Sequence, residues 1–162
     1  MKRMRNPRPV IAGLVVTCLA VFTGGACADT LVFAKNPEDI LNAAKGFGSA
    51  NLDKTSKGNP VLVGRIDGVK YTIMFQGCTD GKDCRNIMFR AGWSDVEVPL
   101  DKINAWNAAA FFGKAYLDSD ADPVLEMPVT MKYGMPSDNL ENVFEWWVTV
   151  LSGFKKDVLD KK

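Results

Sequence analysis

The chain has 162 residues, with 20 Lys and Arg against 19 Asp and Glu, and no histidine. So balanced a charge argues against a nucleic-acid binder, which would carry a basic patch or a high isoelectric point. Without histidine, the commonest general base, the Ser–His and Cys–His nucleophile pairs and imidazole metal sites all drop out, leaving carboxylate or lysine chemistry.

Lys2, Arg3, Arg5 and Arg8 open the chain, an uncharged apolar run follows from Val10 to Thr23, and Ala26-Cys27-Ala28 comes next. Basic, then apolar, then A-x-A is the order of a secretory signal peptide, with cleavage expected after Ala28. Two alternatives compete. Residues 10–28 are just long enough to span a bilayer as a retained anchor. Lipidation at Cys27 is the other, but Gly24 stands where an apolar residue is wanted. Asp29, not a basic cluster, follows the run, which favours cleavage. Loss of residues 1–28 removes four of the 20 basic residues, leaving 16 against 19 acids, a net of −3. Residues 29–162 then form one domain, long enough to bury a core. The expected location is periplasmic or secreted, without stable membrane insertion after cleavage.

Pro37 sits at the first turn of a predicted helix, with Asn36 as its cap. Ile40, Leu41 and Ala44 supply its apolar face, and Gly46 and Gly48 close it. Ser49 to Thr55 reads as a short strand and Val61 to Ile66 as a clear one. Asp67-Gly68 is a two-residue hairpin signal. From Val69 to Gln76, Tyr71, Ile73 and Phe75 alternate with more polar residues at period two. After the loop CTDGKDC, Asn86 to Trp93 returns, with Ile87, Phe89 and Ala91 on one side and Met88 and Arg90 on the other. This is an antiparallel meander. Pro99, Leu100 and Asp101 open a second helix that continues towards Gly113. Lys114–Asp118 and Pro123–Met131 form a second hairpin. Pro136 and Ser137 start a long last helix, whose apolar stripe is Leu140, Val143, Phe144, Trp147, Leu151, Phe154 and Val158. Helix, meander, helix, hairpin and long helix predict an α+β fold, with helices packed on an antiparallel sheet.

Cys18 and Cys27 leave with the leader, so the mature chain keeps Cys78 and Cys84 alone. An even pair in an exported chain reads as a structural disulfide, since further Cys or His ligands for a metal are missing. A redox-active pair is the alternative, though that usually has C-x-x-C spacing. So short a loop is worth about 2 to 2.5 kcal/mol by the chain-entropy model.

Three further patterns could carry chemistry. Asp118, Asp120 and Asp122 have calcium-loop spacing, but Pro123 and Val129 stand where an EF-hand needs Gly and Glu, so a hairpin turn is expected. Asn104 and Asn107 flank Trp106, either as a recognition site or as amides serving nearby backbone, and the second is favoured. No two of Glu97, Asp101, Asp118, Asp122, Glu126 and Glu141 are selected by spacing as a hydrolytic pair. The face of the last helix is wider than one sheet contact needs, because Trp146 and Val150 lie beside the stripe.

The stretches YTIMFQGCTDGKDCRNIMFRAGW, INAWN and FGKAYLDSDADPVLEM resemble the YbjN-domain family of bacteria. The matching elements are Gly77-Cys78, Cys84, Phe89-Arg90-Ala91, Asn104-Ala105-Trp106-Asn107, Phe112 to Asp118 and Asp122 to Glu126. The resemblance runs from about residue 36 to 154. It implies regulators of bacterial sensory transduction with a fold similar to type III secretion chaperones, and it brings no catalytic residue. One stretch departs from the family pattern. Relatives carry charged residues, often Arg, where this chain has Ala108, Ala109, Ala110 and Phe111.

The expectation is an exported, non-enzymatic, chaperone-like regulator acting by protein binding, without cofactor, metal or nucleic acid. Its partner is a second copy or a peptide, on a surface made of Trp106, Phe111, Trp146, Trp147, Val150 and Phe154. A carboxylate-based envelope hydrolase and a disulfide-based redox sensor are the competing readings.

Overall fold

A computed structural model describes residues 30–160. The predicted leader, residues 1–28, lies outside them. Among the described residues no helix is long and apolar enough to cross a membrane.

The domain is α+β, as the element order predicts. Helix α1 (Pro37–Lys45) is followed by the strands β2 (Ser49–Lys54), β3 (Pro60–Ile66), β4 (Val69–Gln76) and β5 (Asn86–Gly92). Helix α2 (Leu100–Ala109) leads into β6 (Lys114–Leu117) and β7 (Pro123–Thr130), and α3 (Ser137–Phe154) closes the domain with a π-helical turn over Lys155–Leu159. Two strands of two residues each, β1 (Leu31–Val32) and β8 (Met135–Pro136), pair with each other. They escape prediction because two residues show no periodicity.

The six longer strands form one antiparallel sheet in the order β2-β3-β4-β5-β7-β6. The second hairpin therefore enters with its return leg innermost. α2 carries the chain from β5 past the sheet, β6 becomes the outer edge, and β7 fills the place beside β5. Asp67 and Gly68 both have positive φ, 49° and 79°, which is the backbone a two-residue turn between twisted strands demands.

Period-two alternation puts Leu62, Ile66, Tyr71, Ile73, Phe75, Ile87, Phe89, Ala91, Leu125 and Met127 on one face, and all are buried. α3 lies against them. Phe144 meets Phe89 edge-on at 5.0 Å, Trp147 packs on Phe89 at 5.4 Å and on Tyr71 at 6.3 Å, and Phe154 sits against Trp93 and Trp106. Each such ring contributes about 1.5–3 kcal/mol on full burial. Gly64 faces Tyr71 across the β3–β4 ladder. A Cβ there would stand 2.7 Å from the Tyr71 ring, so only glycine admits the ring at this point.

Some boundaries differ from the sequence reading. Asn36 makes no side-chain cap on α1. α2 ends at Ala109, four residues before Gly113, because Ala110 is already extended with ψ 132°. Asp138 is the acid in the first turn of α3.

Candidate functional site

The end of α2 and the middle of α3 build the most unusual surface of the domain. Where α2 stops, Phe111 and Phe112 project from the link to β6, and α3 passes beside them. Phe112 meets Trp146 at 4.6 Å, Phe111 meets Phe112 edge-on at 4.7 Å, and Phe111 lies 6.2 Å from Trp146. The three rings pack on one another, yet Phe111 is 84% exposed and Trp146 37%. They form a ridge between two clefts. One, of about 220 Å³, is lined by Trp106, Ala109, Ala110, Val150 and Gly153 among others. The other, of about 300 Å³, is lined by Met127, Pro128, Val129, Met135 and Val143.

The predicted partner residues divide accordingly. Phe111 and Trp146 stand at this surface, and Trp106 and Val150 line one of its clefts. Val150 is nevertheless buried, and Trp106 is half-buried edge-on against Phe154. Trp147 and Phe154 are fully buried against the sheet and belong to the core instead. The physical reason is the helical period. Phe144, Trp147, Leu151 and Phe154 repeat at three and four residues and share the sheet-facing stripe, while Trp146 stands about 100° round the helix from Trp147. Phe112 was not singled out as a surface residue. The signal was present in the run Ala108 to Phe112, which is too apolar for the exposed end of a helix.

The remaining predicted features are placed as follows. Cys78 and Cys84 are disulfide-bonded. Inside their loop Thr79 and Lys82 exchange two backbone hydrogen bonds, at 2.7 and 2.8 Å, around an Asp80-Gly81 turn. Oδ1 of Asp118 accepts the N–H groups of Asp120 and Asp122 at 3.0 and 3.1 Å, so the three-aspartate segment is a self-capped turn. Among the described residues no group of three or more Cys, Asp or Glu side chains could hold a metal ion. The Asn107 amide donates to the Ala115 carbonyl at 2.9 Å and accepts its N–H at 2.8 Å. It thus pairs with edge strand β6 as a neighbouring strand would and blocks that edge.

On the far face of the sheet Glu126 is buried, an unusual place for a carboxylate. It accepts the Tyr116 hydroxyl at 2.9 Å and lies 3.0 Å from Lys114 Nζ and 3.5 Å from Arg90 Nε. Burial and this hydrogen bond push the Tyr116 phenol upward. A lone Glu in the apolar run Pro123 to Pro128 is the sequence signal for it.

Comparison with known proteins adds the following. No curated protein matches the chain. A solved structure titled "Crystal structure of YbjN, a putative transcription regulator from E. coli" is 17% identical, covers 83% of this chain and all of its own, and superposes with a TM-score of 0.49. The family model "YbjN: Putative bacterial sensory transduction regulator" matches residues 36–160. That match takes in α1, all six strands of the main sheet, the disulfide loop and α3. The chain therefore belongs to the YbjN family.

Proposed function

We propose that this chain is an exported, non-enzymatic member of its family that regulates by binding another protein, a second copy or a peptide, at the Phe111–Phe112–Trp146 surface. The observation that carries the reading is the ridge itself: three aromatic rings packed edge to face at the surface, between two clefts with apolar linings. Aromatic residues are enriched at protein interfaces, and rigid rings beside apolar pockets are the usual anchors of binding energy. Exposed apolar surface on a folded domain supports this reading.

The reading extends to the compartment. A basic and apolar leader with an A-x-A end, together with the Cys78–Cys84 disulfide, supports action outside the bacterial cytoplasm. The family's description as a sensory transduction regulator supports a binding role over a catalytic one. Sedimentation equilibrium of the purified protein, beside Trp146→Ala and Phe111→Ala, tests the homodimer form, which predicts association weakened in both variants. Isotope-edited NMR with peptides from co-purifying proteins tests the peptide form, with shifts expected at Phe112 and Trp146. A monomer that binds none of them overturns the proposal.

A further inference from the structure

The sheet face that turns away from the helices carries a polar row set by strand register. Thr72 stands opposite Arg90, Arg90 opposite Glu126, and Glu126 opposite Lys114. Glu126 lies close to both Lys114 and Arg90, so one carboxylate serves two cations and the row keeps a positive charge. Lys70, two residues before Thr72 on the same outward side of β4, adds a third cation and forms no ion pair with a described residue.

At one end of this row a cleft of about 280 Å³ opens, lined by Lys70, Thr72, Arg90, Ser94, Asp118 and Asp122. Its two acids already have work in the backbone. Oδ1 of Asp118 holds two N–H groups of its own turn, and Oδ1 of Asp122 accepts the Asp95 N–H at 3.1 Å. Neither aspartate pairs with Lys70 or Arg90. Arg90 is anchored from behind. Its Nε is buried beside Glu126 without a hydrogen bond, while its side chain as a whole is 39% exposed. Arg90, which also touches the Tyr116 hydroxyl, is among the residues that line the cleft. A planar fork of N–H donors fits a carboxylate in a way that a point charge does not.

We propose that this cleft binds a small monocarboxylate of the α-amino or α-hydroxy acid class. Arg90 and Lys70 take the carboxylate, and Asp118 and Asp122, through the oxygens their turns leave over, accept from the amino or hydroxyl group beside it. The same two aspartates select against phosphate, whose second charge would face them across a narrow space.

The test is titration of the isotopically labelled purified protein with glycine, lactate and inorganic phosphate, followed by backbone NMR. Glycine or lactate is expected to give saturable shifts centred on Thr72, Arg90 and Ser94, with phosphate at least about tenfold weaker. Arg90→Lys keeps the charge but loses the fork, and Lys70→Ala removes an exposed cation. Each is expected to weaken the carboxylate by about tenfold, and Lys70→Ala to leave the melting midpoint in place. Lys70→Ala keeps the test valid if Arg90→Lys disturbs the sheet. Absence of saturable shifts, phosphate binding as tightly as the carboxylates, or full affinity in both variants would overturn the proposal.

Discussion

Trp146 and Trp147 are adjacent in sequence and opposite in role, and that contrast yields the sharpest prediction. Trp147 is fully buried, packed on Phe89 and Tyr71. Truncating a buried aromatic to alanine removes its transfer free energy and leaves a cavity, together about 3–5 kcal/mol. Against a total stability of about 5–15 kcal/mol this is a large share. For a domain of this size it lowers the melting midpoint by about 10–20 °C. Among the aromatic rings of the described residues Trp146 meets Phe111 and Phe112, and aromatic pairs are worth about 0.5–1.5 kcal/mol each. Trp146→Ala should therefore cost about 1–3 kcal/mol, less than Trp147→Ala. Urea unfolding followed by far-UV circular dichroism measures both. Equal losses, or a Trp147→Ala protein within about 1 kcal/mol of the parent, would refute the assignment of the two faces.

Three more tests bear on the frame around the site. Burial raises the Tyr71 phenol from 10.0 to about 12, and its hydroxyl has no hydrogen-bond partner among the described residues. The folded state thus favours the neutral phenol, so this contribution is intact below pH 10 and is lost as pH rises towards 12. Tyr71→Phe should cost little at neutral pH and flatten the alkaline fall, read as the difference between two denaturation series from pH 9 to 12. Replacing Cys78 and Cys84 together by serine should cost about 2 to 2.5 kcal/mol, seen as a lower urea midpoint that reductant no longer changes. Asn107→Ala should cost about 1–2 kcal/mol and speed amide exchange at Ala115. Unchanged exchange there would remove the edge-blocking role from that side chain.

The fold was largely readable from local pattern, and the reasons are physical. Period-two alternation in β4 and β5 survives because one sheet face is buried and the other is not. Asp67-Gly68 marks its turn because few residues accept positive φ at both positions. The pairing of β7 with β5 was not readable, since it depends on which leg of the hairpin reaches the sheet first after α2. The site was readable only in part. Phe111 and Trp146 stood out as surplus apolar residues, but Trp147 and Phe154 were grouped with them because a broad apolar face alone does not tell which edge meets the sheet. The ridge itself depends on where α2 ends. Beside that end Asn107 bonds the Ala115 backbone, in line with the reading of the asparagines as serving nearby backbone, but the partner itself is not legible from local pattern. The clustering of Arg90, Lys114 and Tyr116 around Glu126 is likewise a product of register across β5, β6 and β7.

The proposed binding surface is tested most directly by a photo-activated cross-linker placed at Phe111 in the protein expressed with its own leader. A matched cross-linker at the exposed, distant Asp53 serves as the control. The account predicts a discrete adduct, with a second copy or with one other envelope protein, that forms at Phe111, is absent at Asp53 and disappears in Trp146→Ala. The same products at both positions, or none at Phe111, would contradict it.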